Sequence, residues 1–250
     1  MPSKYALKYS VDIVMCIDAT ESMRPLLDRV KEHAIHFYED IKRKMEEKNK
    51  SVNQLRVKVI VFRDFLADGK DALSSSVFYT LPDEVSKFEV YLRGIQPFGG
   101  GDNPEDGLEA ISCAIRSNWT KEDGKHRHII VVWTDDDVHP LGFGRNQQNG
   151  RYLTFKRPPL SWEQVQENAR CYPADMPKTF DELSAWWGDI DFPGMMECDS
   201  KRLVIHAPGN TFWERIYDLW DNVIFHRDNP GNGLREMEYE EILNCIAQTF

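Results

Sequence analysis

The sequence predicts an α/β protein: a doubly wound, mostly parallel central sheet with helices on both faces and one short antiparallel edge strand. Two observations lead there. Residues 11–17 (VDIVMCI), 57–62 (VKVIVF) and 129–133 (IIVVW) are short, nearly continuous apolar runs rich in β-branched side chains, the composition of strands covered on both sides. The segments between them repeat apolar residues every three or four positions, so strands alternate with helices. A chain of that rhythm forms a parallel sheet joined by right-handed crossovers.

The first strand leads into residues 23–48, where Leu27, Val30, Ala34, Phe37, Ile41 and Met45 share one face of what reads as a single long amphipathic helix. Thr20 or Ser22 is placed to cap it, and Pro25 fits its first turn, where no amide proton is needed. After the second strand, residues 77–80 read as the edge strand and 83–92 as a helix. Gly99, Gly100 and Gly101 interrupt the pattern. Residues 105–116 then place Leu108, Ile111, Ala114 and Ile115 on one stripe ahead of the third strand. Residues 139–200 hold six prolines together with Trp162, Trp186 and Trp187. They read as one elaborate connection, with short helices at 162–169 and 180–187 because structureless loops of that length are uncommon. Strands at 203–206 and 223–226 complete the alternation, with a helix at 212–220 that Thr211 and Glu214 open as a capping box, and another at 239–248. The chain is therefore expected to be one domain over 1–250, with an insertion at about 139–200.

Lys plus Arg number 31 against 41 Asp plus Glu, a net charge of −10 over 250 residues. That balance repels a phosphate backbone and argues against a nucleic-acid partner. No apolar run approaches the ~20 residues that cross a bilayer. Asp12 and Asp18 interrupt the hydrophobic middle that a secretion signal requires, so a cytoplasmic location away from membranes is expected. Five cysteines without a CxxC pair point to reduced thiols rather than a disulfide framework.

In open parallel sheets, ligands bind beyond the carboxyl ends of the strands. The first strand ends in Asp18-Ala19-Thr20-Glu21-Ser22, which sets a carboxylate and two hydroxyls on alternate residues facing one point, with Glu21 turned away. The glycine loop carries Asp102, Glu105 and Asp106, and the third strand runs into Thr134-Asp135-Asp136-Asp137. Carboxylates this dense resist joint ionisation, and either proton uptake or a cation relieves them. Oxygen-only donors suit a hard divalent ion, and Mg²⁺ accepts a few protein oxygens while keeping waters.

The stretch VDIVMCIDATESM, with its DxTxS at Asp18, Thr20 and Ser22, resembles the first metal motif of von Willebrand factor type A (vWA) domains, usually written DxSxS. GGGDNPEDGL resembles the second motif, and Thr134 with Asp135 the third, in the expected order over roughly the first 140 residues. The resemblance implies the doubly wound vWA fold and a metal-ion-dependent adhesion site. It also implies a protein partner that engages the site through an acidic group. Carried over by position, Asp18, Thr20, Ser22 and Asp135 are metal ligands. Asp102 falls where many members have threonine, with Glu105 as the alternative. The wording DATESM is most like intracellular members, which implies a signalling or stress-related complex.

An aspartate at 102 changes the electrostatics, because Asp18, Asp102 and Asp135 leave the site net negative even around a divalent ion. It should then hold the ion more tightly and attract an acidic ligand less. The competing reading is a Mg²⁺-dependent phosphohydrolase of the haloacid dehalogenase type, with Asp18 as nucleophile. That chemistry needs a second aspartate two residues on as general acid, and Thr20 stands there. Gly99 to Gly101 lacks the lysine and hydroxyl of a phosphate loop. His33 and His36 share a helix face without a carboxylate or thiol partner, His126 and His128 are expected on alternate faces of a strand start, and Trp186 and Trp187 are expected in local core.

Overall fold

The computed structural model describes residues 7–34, 36–100, 104–121, 124–142, 161–209, 211–228 and 239–249. At its centre is β1 (Leu7–Asp18), a strand apolar on both faces. It pairs in parallel with β2 (Lys50–Phe62) on one side and with β5 (Lys125–Trp133) on the other. Beyond β5 come β6 (Lys201–Pro208) and β7 (Val223–Asp228), both parallel. The short strands β3 (Leu73–Ser75) and β4 (Tyr79–Leu81) both run antiparallel to β2, so the expected antiparallel edge is present in two pieces. The path β3-β2-β1-β5-β6-β7 is that of a doubly wound sheet. Its direction of winding reverses at β1, where neighbouring crossovers leave a crevice at the strands' carboxyl ends.

Alternate residues of each strand feed two cores. Val11, Ile13, Met15 and Ile17 face a layer built from α1 (Arg24–His33), α2 (Phe37–Glu47), α4 (Val85–Gly94) and α9 (Tyr239–Gln248). Val14 and Cys16 face α5 (Gly107–Ile115), α7 (Phe180–Trp187) and α8 (Thr211–Leu219). The short α3 (Phe65–Asp68) and α6 (Trp162–Ala169) pack together at the carboxyl end of β2. Trp187 is fully buried, as expected. Among the described residues no helix is long and apolar enough to cross a membrane.

Several sequence expectations change. The single helix over 23–48 is two helices, α1 and α2. At the junction the His36 amide donates to the His33 carbonyl, three residues back, instead of continuing the four-residue ladder. The apolar stripe keeps its side through the break, since Val30, Ala34, Phe37 and Ile41 are all buried, which is why periodicity alone could not reveal it. Neither Thr20 nor Ser22 caps a helix; Thr20 directs its hydroxyl elsewhere. His126 and His128 share a face, their rings 5.8 Å apart and nearly parallel, because residues i and i+2 of a strand point the same way. The Thr211 side chain of the expected capping box lies outside the described residues.

Asp12, the one charged residue in the first apolar run, is explained by register. It sits directly across from Arg56 on β2 and is 1% exposed. Arg56 donates to both its carboxylate oxygens, at 2.8 and 2.6 Å, and Thr120 adds its amide at 2.7 Å and its hydroxyl at 3.2 Å. Removing one member of such a pair strands the other charge inside the protein. Asp12→Ala should therefore lower the unfolding free energy by about 3 kcal/mol in urea titrations. The double variant Asp12→Ala/Arg56→Met should recover part of that loss.

Candidate functional site

The carboxyl end of β1 is shaped by its neighbours before any ligand is considered. The Ala19 amide donates to the Phe62 carbonyl at the end of β2, and the Phe98 amide donates to the Ala19 carbonyl. Arg63, the first residue after β2, is buried and gives its guanidinium entirely to main-chain carbonyls. Its Nε reaches Ala19 and Phe98 at 3.1 and 3.0 Å, Nη1 reaches Asp71 at 2.8 Å and Nη2 reaches Gln96 at 2.8 Å. Its plane also lies over the Phe98 ring, 3.9 Å from the centroid. One side chain thus ties the β1 loop, the β2 loop and the run-up to the glycines, and it leaves the nearby carboxylates to other partners.

Within this frame the predicted residues close into a ring. Asp18, with no exposure to solvent, accepts from the Thr20 hydroxyl at 2.7 Å and the Thr20 amide at 2.9 Å on Oδ1, and from the Thr134 hydroxyl at 2.8 Å on Oδ2. Thr20 Oγ1 lies 3.3 Å from Ser22 Oγ, and Ser22 donates to Asp135 Oδ1 at 3.0 Å. Asp135 follows Thr134, so the circuit returns to its start. Either hydroxyl can donate across the Thr20–Ser22 contact; when Asp18 is ionised, the Thr20 proton goes to Asp18 and the Ser22 proton to Asp135, which leaves lone pairs between the two hydroxyl oxygens. The ring runs from the buried Asp18 out to the exposed Ser22.

The second loop approaches from above. Gly100 has a left-handed backbone (φ 81°), and a Cβ there would stand 2.8 Å from Glu105 Oε1 and 3.1 Å from Thr20 Cγ2. Only glycine lets these two side chains meet across it. Asp68 holds the loop by accepting from the Gly100 amide at 3.0 Å. Glu105 does not begin a helix as expected. It pairs with Val138 as an isolated bridge, with its amide on the Asp137 carbonyl and its own carbonyl taking the His139 amide. Its side chain is buried, and Oε2 has no hydrogen-bond partner among the described residues. Asp102, the other candidate, lies outside the described residues.

The electrostatics follow from burial. Desolvation pushes the Asp18 carboxyl up to about 7, helped by the charge of Asp135 and opposed by the hydrogen bonds from Thr20 and Thr134. Glu105 is held well above the usual carboxylate range by burial first and by Asp18 next. These are the groups that a cation would return to their ionised form. The donor set is hard oxygen throughout, and the orphaned buried oxygen of Glu105 adds a carboxylate beside it, so the residues fit a hard divalent ion. Among the described residues no three His, Cys, Asp or Glu side chains come together to hold an ion by themselves, so an ion here would also draw on the hydroxyls of Thr20 and Ser22.

Arg63 belongs to none of the three motifs; the signal that marks it is its position immediately after β2, by the same rule of strand carboxyl ends that locates Asp18. Thr134, expected only as part of the third motif, is the second hydroxyl on Asp18. Asp136 and Asp137 turn inward on their own backbone, accepting the amides of Asp137 and Val138. Glu21 is exposed and pairs with Arg24.

No family model matches this chain, and no curated protein matches it in sequence. Solved structures similar to it include the SpRpn10 VWA domain, at 11% identity and TM-score 0.47 over 96% of this chain and 94% of that one. The pilus adhesin SpaC of Lactobacillus rhamnosus GG is 16% identical with TM-score 0.37, over 52% of this chain and 15% of SpaC. The vWF domain of the type V pili tip protein Mfa5 from Porphyromonas gingivalis is 16% identical with TM-score 0.33, over 53% of this chain and 40% of that one. The first and third belong to the family that the DxTxS motif resembles. At such identities no residue role passes from any of them to this chain.

The raised pKa of Asp18 makes a signed prediction for the metal-free protein. Between the ordinary carboxylate value and about 7, the folded state keeps a proton that the unfolded state has lost, so stability falls as pH rises through that window. In chelator, wild type should lose stability between pH 5 and pH 8. Asp18→Asn, which cannot ionise yet can still accept from Thr20, should show a shallower decline in urea titrations at the two pH values.

Proposed function

We propose that this chain is a cation-dependent protein-binding module of the vWA type, holding Mg²⁺, or Mn²⁺ or Ca²⁺, through Asp18, Thr20, Ser22 and Asp135, with Glu105 or Asp102 from the glycine loop. The observation that carries this reading is the closed ring of oxygens at the carboxyl end of β1, buried at Asp18 and open at Ser22. The bound ion would supply an electrophilic centre for an oxygen atom of a partner. The protein's own part is to fix the donors in place, through Arg63, Gly100 and the bridge at Glu105, so that little ordering remains to be done on binding.

The local charge bears on the partner. Asp18, Asp135 and a carboxylate from the second loop together exceed the charge of a divalent ion, so an acidic ligand group meets a site that is still net negative. A neutral amide or hydroxyl oxygen suits it better than a carboxylate does. We place the protein in the cytoplasm, as one domain over 1–250 serving an intracellular signalling or stress-related complex. The unpaired thiols of Cys16, Cys113, Cys171 and Cys198 fit a reducing compartment.

A phosphohydrolase built on Asp18 is a weaker reading. The general acid would have to come from the residue two positions on, and the Thr20 hydroxyl already donates to Asp18 and does not titrate near neutrality.

Mg²⁺ at a hundredfold its dissociation constant should stabilise wild type by about 2.7 kcal/mol. Asp18→Ala, Ser22→Ala and Asp135→Ala should each abolish or strongly reduce that increment, measured as thermal shifts with Mg²⁺ and with chelator. An increment that survives in Asp18→Ala would place the ion elsewhere. Turnover of a generic phosphate ester with Mg²⁺, lost on Asp18→Asn, would instead establish the enzyme.

A further inference from the structure

At the opposite end of the sheet from the oxygen ring, the segment after α7 makes a crossed loop that holds apolar side chains in water. Gly188 is left-handed (φ 68°), and a Cβ there would fall 2.0 Å from the Gly194 nitrogen; a Cβ on Gly194 would fall 2.3 Å from the Trp186 carbonyl. The two passes of the chain therefore touch backbone to backbone, which only glycine permits. Gly188 and Pro193 form a bridge, and the Asp189 amide donates to the Phe192 carbonyl at 3.0 Å. The Asp189 carboxylate accepts the amides of Asp191 and Phe192 at 2.8 and 2.7 Å. So ordered a loop nevertheless leaves Ile190 80%, Phe192 76% and Met195 51% exposed. Such a prefolded apolar knob is costly in a monomer and typical of a contact surface.

Directly beside the knob lies a groove of about 520 Å³ lined by Trp119, Trp186, Met195 and Met196, with Arg116 and Lys121 on its rim. Met195 belongs to both features. Of the rim charges, Arg116 pairs with Asp175 at 2.6 Å and lies near the Trp186 ring, and Glu197 accepts from Ser200 at 3.2 Å. Lys121 makes no ion pair among the described residues, and neither does Asp191 on the knob.

We propose that the knob of one molecule, Ile190 and Phe192, docks in the Trp119–Trp186–Met196 groove of a second copy of this chain, with Asp191 of each facing Lys121 of the other, giving a twofold dimer. Knob and groove are adjacent on one surface, so a single twofold rotation satisfies both at once, the self-complementarity that isologous interfaces require. The apolar knob meets an apolar groove, and the acid on the knob and the base on the rim, neither of them ion-paired among the described residues, meet each other. This dimer is independent of the metal reading, since no residue of the ring takes part.

Sedimentation equilibrium of the full chain across the micromolar range tests it, with chelator and with Mg²⁺. Wild type should move from the monomer mass of 29.1 kDa toward twice that value in both buffers. Ile190→Ser/Phe192→Ser should raise the dimer dissociation constant by about 30-fold or more, as expected when a buried anchor is lost. Both sites are exposed, so the fold should be untouched. Lys121→Glu and Asp191→Lys should each weaken the dimer, and the two together should restore much of it. A protein that stays monomeric throughout, or a dimer indifferent to the knob substitutions, overturns the proposal. So does failure of the charge swap to restore association.

Discussion

A carboxyl group with no contact with water stands at the end of the central strand, and the arrangement around it follows from that burial. An isolated carboxylate at Asp18 would be prohibitively costly. The chain answers with three hydrogen bonds from Thr20 and Thr134, places Asp135 close enough to raise its pKa further, and sets Glu105 where the charge of Asp18 raises that carboxyl in turn. Hydrogen bonds favour the ionised form while burial and neighbouring acids disfavour it. A carboxyl balanced in this way near neutrality marks a candidate functional group, and the cation proposed above would tip it to its ionised form.

Arg63 makes the balance possible without cancelling it. Had its guanidinium paired with Asp18 or Glu105, the acids would already be neutralised and the ring would be an ordinary buried salt bridge. Instead its donors go to carbonyls of four residues on three separate loops. It supplies positive charge at a distance and rigidity at close range. The Asp68 bond to Gly100 and the Glu105–Val138 bridge do the same for the second loop. The donor atoms are therefore held by contacts that do not compete for them.

The two ends of the sheet have different chemistry. At the carboxyl ends of β1 and β5 the surface is acidic, polar and closed on itself. Near the start of β5 it is apolar, with a groove and a preformed knob side by side. Both devices depend on glycines at close backbone approaches, Gly100 at one end and Gly188 with Gly194 at the other. The intervening sheet is continuous packed core, which allows each end to be specialised without strain on the other.

Much of this was legible in the residues themselves. Runs of β-branched residues located β1, β2 and β5, and their alternation with helical stripes determined the doubly wound class, because period and composition report burial directly. The spacing Asp18-Thr20-Ser22 determined that one carboxylate and two hydroxyls face the same way. What only the tertiary structure decided was how partners from distant segments meet: the Ser22–Asp135 bond across 113 positions, the break between α1 and α2, the pairing of Asp12 with Arg56, and the place of Glu105 in a bridge rather than a helix. Local pattern records which face of an element is buried. It carries no information about which atom of another element lies opposite, because that depends on register and crossover geometry, fixed only when the whole sheet assembles.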